Sequence, residues 1–297
     1  MITPRSQGIL CMLGAMAFIS VQEAFAKYLG EFLPIPQVVW ARYTGHLLLM
    51  LIVLWPRYGK RILKASNLPM QILRSLILLI DTALFFYGLT FIGLAEATAI
   101  FFTVPALVII VSVLLLGEKV RTSTLLAIGL GFAGTLVIVR PGGSSGGEES
   151  MLLGGLLIFG AACCTAFYNV ITRKLAGTDP LSVTLFYTAM IGALVSSVAV
   201  PFYWQMPEGI YQWLALLSIG LFGGGAHSLI IAAHQYTTAS TVAPFMYSQI
   251  FWAIFLGWLF FAELPDAYAY GGGLLVIVSG LFLLYAGRPK QTKQPLS

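Results

Sequence analysis

The chain has 297 residues, of which 59% are hydrophobic and only 9% charged, and its formal net charge is +5. A soluble domain carries about 25% charged residues, so this composition excludes a water-compatible globular surface and predicts an integral membrane protein in contact with a lipid bilayer. The basic residues lie in short segments between apolar runs, a placement that excludes nucleic acid as a partner.

In chain order, residues 8–29 read as a retained first helix, with no cleavable signal peptide before it. A Leu33-Pro34-Ile35-Pro36 turn leads to a second span at 37–55, and a basic loop at 56–69 to a third at 70–89. The fourth span, 94–117, runs uncharged from Ala97 to Gly117, enough to cross roughly 30 Å of hydrocarbon at 1.5 Å per residue. A fifth follows at 122–139. The run RPGGSSGGEES at 140–150 has the composition of a flexible linker and falls at the middle of the chain. Further spans follow at 151–175, 181–203, 211–236, 239–262 and 267–286. Each is long enough for a tilted helix, and none alternates as a membrane β-strand does. Cys11, Cys163 and Cys164 lie inside apolar runs and read as packing residues.

The second half echoes the first. Gly8 falls on Gly155, Lys27 on Lys174 and Trp40 on Tyr187 at one offset, and a slightly smaller offset puts Glu118 on Glu263. With the N-terminus inside, Arg5, Arg57, Lys60, Arg61, Lys64, Arg74, Lys119, Arg121, Arg173, Lys174, Arg288, Lys290 and Lys293 fall on the cytoplasmic side, and only Lys27 and Arg140 outside. Five spans per half is an odd number, so the halves are expected to be inverted. The predicted fold is all-α, ten transmembrane helices as two inverted five-helix repeats. The expected units are 1–142, a linker at 143–150, 151–287 and a basic cytoplasmic tail at 288–297, in a bacterial inner membrane.

Four stretches carry a family resemblance: QVVWARY at 37–43, LAEATA at 94–99, GEKV at 117–120 and, more weakly, AELP at 262–265. With the ten-span pattern, they resemble the drug/metabolite transporter superfamily, specifically its EamA-type ten-helix carriers, over almost the whole chain. Many of those carriers have a tryptophan midway along the first helix, where this chain reads Ala17-Phe18-Ile19-Ser20. Glu23, Lys27 and Arg42 look like the branch that includes nucleoside-derivative and vitamin carriers. The resemblance implies a secondary carrier with a central cavity, moving a small organic metabolite in or out.

Polar side chains at mid-depth of a bundle are costly and tend to face an internal cavity. Glu23 lies in the outer third of the first span, with Lys27 one turn on and within its reach, and Arg42 enters from the second span at similar depth. These read as an outer gate, a substrate anchor, or an ion-pair cluster that fixes packing. Gln22 and Asn169 occupy matching positions in the two halves, as do Val21 and Tyr168, which suits either a site at the repeat interface or interhelical bonding. Phe101, Phe102, Tyr247, Gln249 and Trp252 offer an aromatic, partly polar surface for a ring-bearing solute. His46 and His227 lie within spans and can titrate near neutrality, although a histidine hydrogen-bonded to a neighbour fits each as well. Pro105 and Pro244 can break their helices and expose carbonyls, although simple kinks are preferred, and Glu118 and Glu263 read as caps on the helices that follow them.

Asp81 lies about 10 residues into the third span, roughly 15 Å deep, with no adjacent cation on its own helix. A carboxyl there faces water, pairs across helices, or holds a proton. It is the candidate for substrate binding or for carrying a coupled proton, and a hydrogen bond to a Thr or Tyr across helices is its structural alternative. The substrate candidates are thus Gln22, Asp81, Phe101, Tyr168, Asn169, His227, Tyr247, Gln249 and Trp252. The gating or coupling candidates are Glu23, Lys27, Arg42 and His46. The chain shows no metal motif, nucleophile elbow or P-loop, so a carrier without cofactor or metal, acting as a monomer, is preferred to a membrane-embedded transferase or a passive channel.

Overall fold

The computed structural model describes residues 3–116, 122–139, 148–175, 178–237 and 245–286, and among them all regular structure is helical. The helices are α1 (Pro4–Gly30), α2 (Ile35–Tyr58), α3 (Leu68–Gly88), α4 (Leu94–Phe101), α5 (Val104–Leu116), α6 (Thr122–Val139), α7 (Glu148–Leu175), α8 (Leu181–Tyr203), α9 (Ile210–Tyr236), α10 (Ser248–Phe261) and α11 (Ala267–Ala286). Among the described residues, seven stretches are long and apolar enough to cross a membrane: α1, α2 with its following turn, α3, Leu94–Leu115, and the greater part of α7, α8 and α9. Ile128–Ile138, Ser248–Phe261 and Ala267–Phe282 are shorter apolar helices.

Local chemistry sets several boundaries. Thr3 caps α1 by accepting from Ser6 N at 3.2 Å, with Pro4 at the first helical position, where no donor is needed. Asn67 caps α3 in the same way, accepting from Met70 N at 3.2 Å, so α3 begins two residues before the expected 70. The fourth expected span holds as one membrane-crossing stretch, Leu94–Leu115, but before Pro105 it is broken into two helices rather than kinked. Pro105 has no N–H for the Phe101 carbonyl, and Thr103 Oγ1 turns back to donate to Ile100 O at 2.8 Å. Pro105 is then tolerated in the first turn of α5. The expected linker is also shorter at its end, because α7 already starts at Glu148. Glu118, Arg140 and Pro244, and the kink expected at Pro244, lie outside the described residues.

The halves pack across each other: α1 on α9, α3 on α7, α2 on α8, α4 on α10 and α6 on α11, with further contacts of α3 on α8 and α2 on α9. Exchanging α1, α2, α3, α4 and α6 for α7, α8, α9, α10 and α11 leaves this set unchanged. Lipid tails are as apolar as leucine, so close packing rather than the hydrophobic effect holds such helices together. Small residues allow it: Ala24, Ala26, Ala41, Ala97, Ala161 and Ala193 are buried in the central cluster. Where α2 crosses α9, a Cβ on Gly220 would lie 2.5 Å from Gly45 Cα, and one on Gly45 2.9 Å from Gly220 Cα. Only glycine at both positions lets these backbones meet.

Candidate functional site

A cavity of about 240 Å³ lies between the halves. Its wall takes Ile19, Gln22 and Glu23 from α1, Arg42 from α2, and Leu78, Asp81, Thr82, Phe85 and Phe86 from α3. Phe101 from the end of α4, Thr165, Tyr168 and Asn169 from α7, and Gly223, His227 and Ile230 from α9 complete it. The helix break after Phe101 is what ends α4 at the cavity. A larger groove of about 510 Å³ between α1, α9 and α10 holds no charged side chain, and its rim residues Tyr211 and Phe260 are 76% and 63% exposed. Its apolar, outward-facing rim suits contact with lipid, whereas the smaller cavity carries the charges.

The cavity wall holds one guanidinium, Arg42, and two carboxyl groups, Asp81 and Glu23, and among the described residues no ion pair joins them. Arg42 donates from Nη1 to Thr82 Oγ1 and from Nε to Gln22 Oε1 at 3.4 Å, and its guanidinium lies 4.9 Å from the Tyr43 ring centre. Thr82 Oγ1 donates in turn to Leu78 O at 2.8 Å, which leaves it an acceptor for Arg42. Asp81, 7% exposed, receives Thr165 Oγ1 from α7 at 2.7 Å. This is the cross-helix threonine bond, and Arg42 is not its partner. Glu23 Oε1 receives Gln249 Nε2 at 3.0 Å, while its Oε2 has no hydrogen-bond partner among the described residues.

Gln22, Asp81, Phe101, Tyr168, Asn169, His227, Glu23 and Arg42 are therefore gathered at one cavity, and Gln22 and Asn169 face it from matching positions in the two halves. The rest are not at the wall. Gln249 stands behind Glu23 as its donor, Tyr247 packs on Phe102 with ring centres 4.9 Å apart, and Trp252 packs beside the Met12 and Met16 cluster. His46 stacks on His227 at 5.8 Å, one layer behind the wall, and its Nε2 lacks a hydrogen-bond partner among the described residues.

Lys27 does not bind Glu23. Its Nζ reaches Glu263 Oε1 at 2.9 Å and Ile92 O at 2.9 Å, tying α1 to the α3–α4 turn and to the segment after α10. Glu263 is thus an ion-pair partner. Asp266 is the residue that caps α11, accepting from Ala269 N at 2.8 Å.

Two residues at the opposite end were not singled out from the sequence. Arg74, counted there among the cytoplasmic cations, is 1% exposed. It donates from Nε to Thr172 Oγ1 at 2.6 Å, from Nη1 to Thr184 O at 3.1 Å and Gln71 Oε1 at 3.3 Å, and from Nη2 to Tyr168 OH at 2.6 Å. Asp179 accepts from Ser66 N at 2.6 Å and Gln71 Nε2 at 2.9 Å, joining the α2–α3 and α7–α8 turns. Burial pushes the Asp179 carboxyl up, but the bonds from Gln71, Ser66 and Asn67 outweigh it and hold it below the usual range. The legible signal was a glutamine and an arginine at helical spacing, Gln71 and Arg74, at the start of an apolar span.

The chain is similar to the S-adenosylmethionine uptake transporter of Rickettsia bellii, 27% identical over 289 residues and covering 97% of each chain. It is 28% identical over 282 residues to the pseudopaline exporter CntI of Pseudomonas aeruginosa, covering 94% of this chain and 96% of that one. It is 27% identical over 281 residues to a riboflavin transporter of Vibrio cholerae, covering 93% and 92%. A crystal structure with 18% identity superposes with a TM-score of 0.65 over 96% of this chain and 99% of that one, which bears on the fold alone. These relatives are transporters, not enzymes, and this is a multi-pass membrane protein of the same kind. The EamA-like transporter family matches it twice, over residues 6–140 and 152–286, so the chain belongs to that family within the drug/metabolite transporter superfamily.

Proposed function

We propose that the protein is a secondary carrier that moves a small polar metabolite across the bacterial inner membrane by alternating access of the central cavity. The observation that carries this reading is the cavity itself, which is walled by both halves and holds Arg42, Asp81 and Glu23 at mid-depth. A charged group at the centre of a bilayer costs about 2.5–3.5 kcal/mol on insertion scales, and keeping both signs there is reasonable where a polar solute must be held. The cavity is smaller than the roughly 300–1,000 Å³ of most ligand pockets, which fits a closed intermediate. Ten spans in two inverted repeats, with both termini inside, accord with the exchange symmetry of the helix contacts and with the basic α2–α3 turn. A solute bearing both a cation and a carboxylate, as S-adenosylmethionine does, matches the wall better than a neutral one.

Asp81 is the proposed substrate cation site or proton carrier. The test is uptake and counterflow of a metabolite panel in proteoliposomes, with and without a proton gradient. Saturable uptake with counterflow supports a carrier, and flux that neither saturates nor counterflows supports a channel. Asp81→Asn keeps the shape and removes the titration, and is expected to lower transport at least tenfold. Parental rate, affinity and pH dependence in that variant would remove Asp81 from the mechanism.

A further inference from the structure

Arg74 is a buried cation that uses its donors on neutral groups: two hydroxyls, one amide oxygen and one backbone carbonyl. Its guanidinium also stacks 4.4 Å from the centre of the Tyr168 ring. Tyr168 is a wall residue of the cavity, so one side chain separates Arg74 from the cavity, and its charge is within electrostatic reach of His227 on the same wall. Arg42 is arranged alike, bonded to a hydroxyl and an amide oxygen and stacked on a tyrosine. The two lie toward opposite ends: Arg42 is roughly 10 Å along α2 from Ile35, and Arg74 roughly 9 Å along α3 from Leu68, at 1.5 Å per residue. A purely structural staple does not need a full charge to bind four neutral acceptors. An intramembrane cation whose partners are all neutral has capacity for an anion, and the planar guanidinium suits a carboxylate. Asp81 and Glu23 on the same cavity favour a singly charged carboxylate over a doubly charged phosphate.

We propose that Arg74 is a second carboxylate-binding residue, which takes over from Arg42 the carboxylate of a zwitterionic metabolite when the cavity opens toward the α2–α3 turn and Tyr168 moves aside. This rests on the carrier reading above and adds a substrate group and a side to it.

The experiment measures half-saturation concentrations in vesicles sorted for one orientation, with S-adenosylmethionine and its decarboxylated form as probes. The second probe keeps the sulfonium and loses the carboxylate. The parental protein is expected to take the carboxylated probe at least tenfold tighter. Arg74→Gln should raise its half-saturation at least tenfold from the face bearing the α2–α3 turn. From the other face, and for the decarboxylated probe, the change should stay within twofold. Arg74→Lys, which keeps the charge without the fork, should fall between; the unchanged half-saturation at the far face reports an intact fold. Equal losses at both faces or for both probes would make Arg74 a staple and overturn the proposal. A parental protein that does not distinguish the probes, or takes neither, overturns it too. In each case saturable exchange of some other metabolite leaves the carrier reading standing, and only the lack of any such exchange removes that.

Discussion

Each end of the bundle holds a buried cation that bridges the two halves, but the partners differ. At one end Lys27 meets a carboxylate, Glu263, with the Ile92 carbonyl as second acceptor. At the other end Arg74 meets Thr172, Tyr168, Gln71 and the Thr184 carbonyl. An ion pair is a two-body contact that can be neutralised by removing both charges. A guanidinium among neutral acceptors is a hub, and deleting it leaves several polar atoms without a donor and no single second change that restores them. The first kind of contact has one principal acceptor and is made or broken as a unit; the second is spread over α3, α7 and α8, so it can release Tyr168 and keep Thr172, Gln71 and the Thr184 carbonyl.

The largest expected effect breaks the hub. Arg74→Met should lower stability by about 2–5 kcal/mol, since four charge-assisted bonds are lost and two of their acceptors, Gln71 Oε1 and the Thr184 carbonyl, stay buried, read as a fall in the thermal midpoint of purified protein in detergent. Lys27→Met should cost less, about 1–3 kcal/mol, because the Glu263 side chain is 40% exposed and its charge is partly solvated. The comparison is sharpened by repair. Adding Glu263→Gln to Lys27→Met should recover about half of the loss, whereas adding Gln71→Met to Arg74→Met should recover none. Recovery at both ends would mean that the two contacts are of one kind.

A smaller effect comes from Asp179, which steadies Gln71 behind Arg74. Its folded-state pKa is depressed, so its contribution is fully present above the unfolded value of about 3.9 and is lost as pH falls through the lower folded value. Asp179→Asn should cost about 1 kcal/mol at pH 7. It should also flatten the part of the stability curve below about pH 4 relative to the parental protein. An unchanged acid slope would show that other carboxylates carry it.

Much of this was legible in the sequence because a bilayer penalises charge along a single coordinate. Uncharged windows mark the long helices, and mid-depth polar residues such as Gln22, Asp81 and Asn169 are at the cavity. Rotation about a helix axis is a tertiary property: Tyr247 packs on Phe102, Trp252 beside Met12 and Met16, and Gln249 stands one layer behind the wall on Glu23. Arg74 falls within the expected third span at 70–89 and yet counts among the cytoplasmic cations, because it lies near that end of the span. What the sequence does not show is that its side chain turns inward between α7 and α8, onto Thr172, Tyr168 and the Thr184 carbonyl. Lys27 has Glu23 four residues before it in sequence, but the segment after α10, from the other half, supplies its carboxylate. Spacing along one helix does not reveal such a competitor.

The smallest predicted effect tests whether Asp81 belongs to the cavity or to the scaffold. Its bond from Thr165 joins α3 to α7 across the halves, so it counts as a structural contact by the same criterion as the contacts at the two ends. Side-chain hydrogen bonds between membrane helices average about 0.6 kcal/mol, because a partly unfolded chain in lipid also finds partners. Thr165→Val keeps the side-chain volume and removes the donor, and should shift the thermal midpoint only slightly. Transport should change more than stability does. Without the Thr165 hydroxyl, the Asp81 carboxyl loses its bond to α7, and the pH dependence of transport should change if Asp81 carries the proton. If Thr165→Val instead lowers stability by several kcal/mol and leaves the pH profile in place, Asp81 is a strut between α3 and α7 and the proton or substrate cation is held elsewhere on the wall, with Glu23, whose second oxygen has no partner among the described residues, the next carboxylate to change.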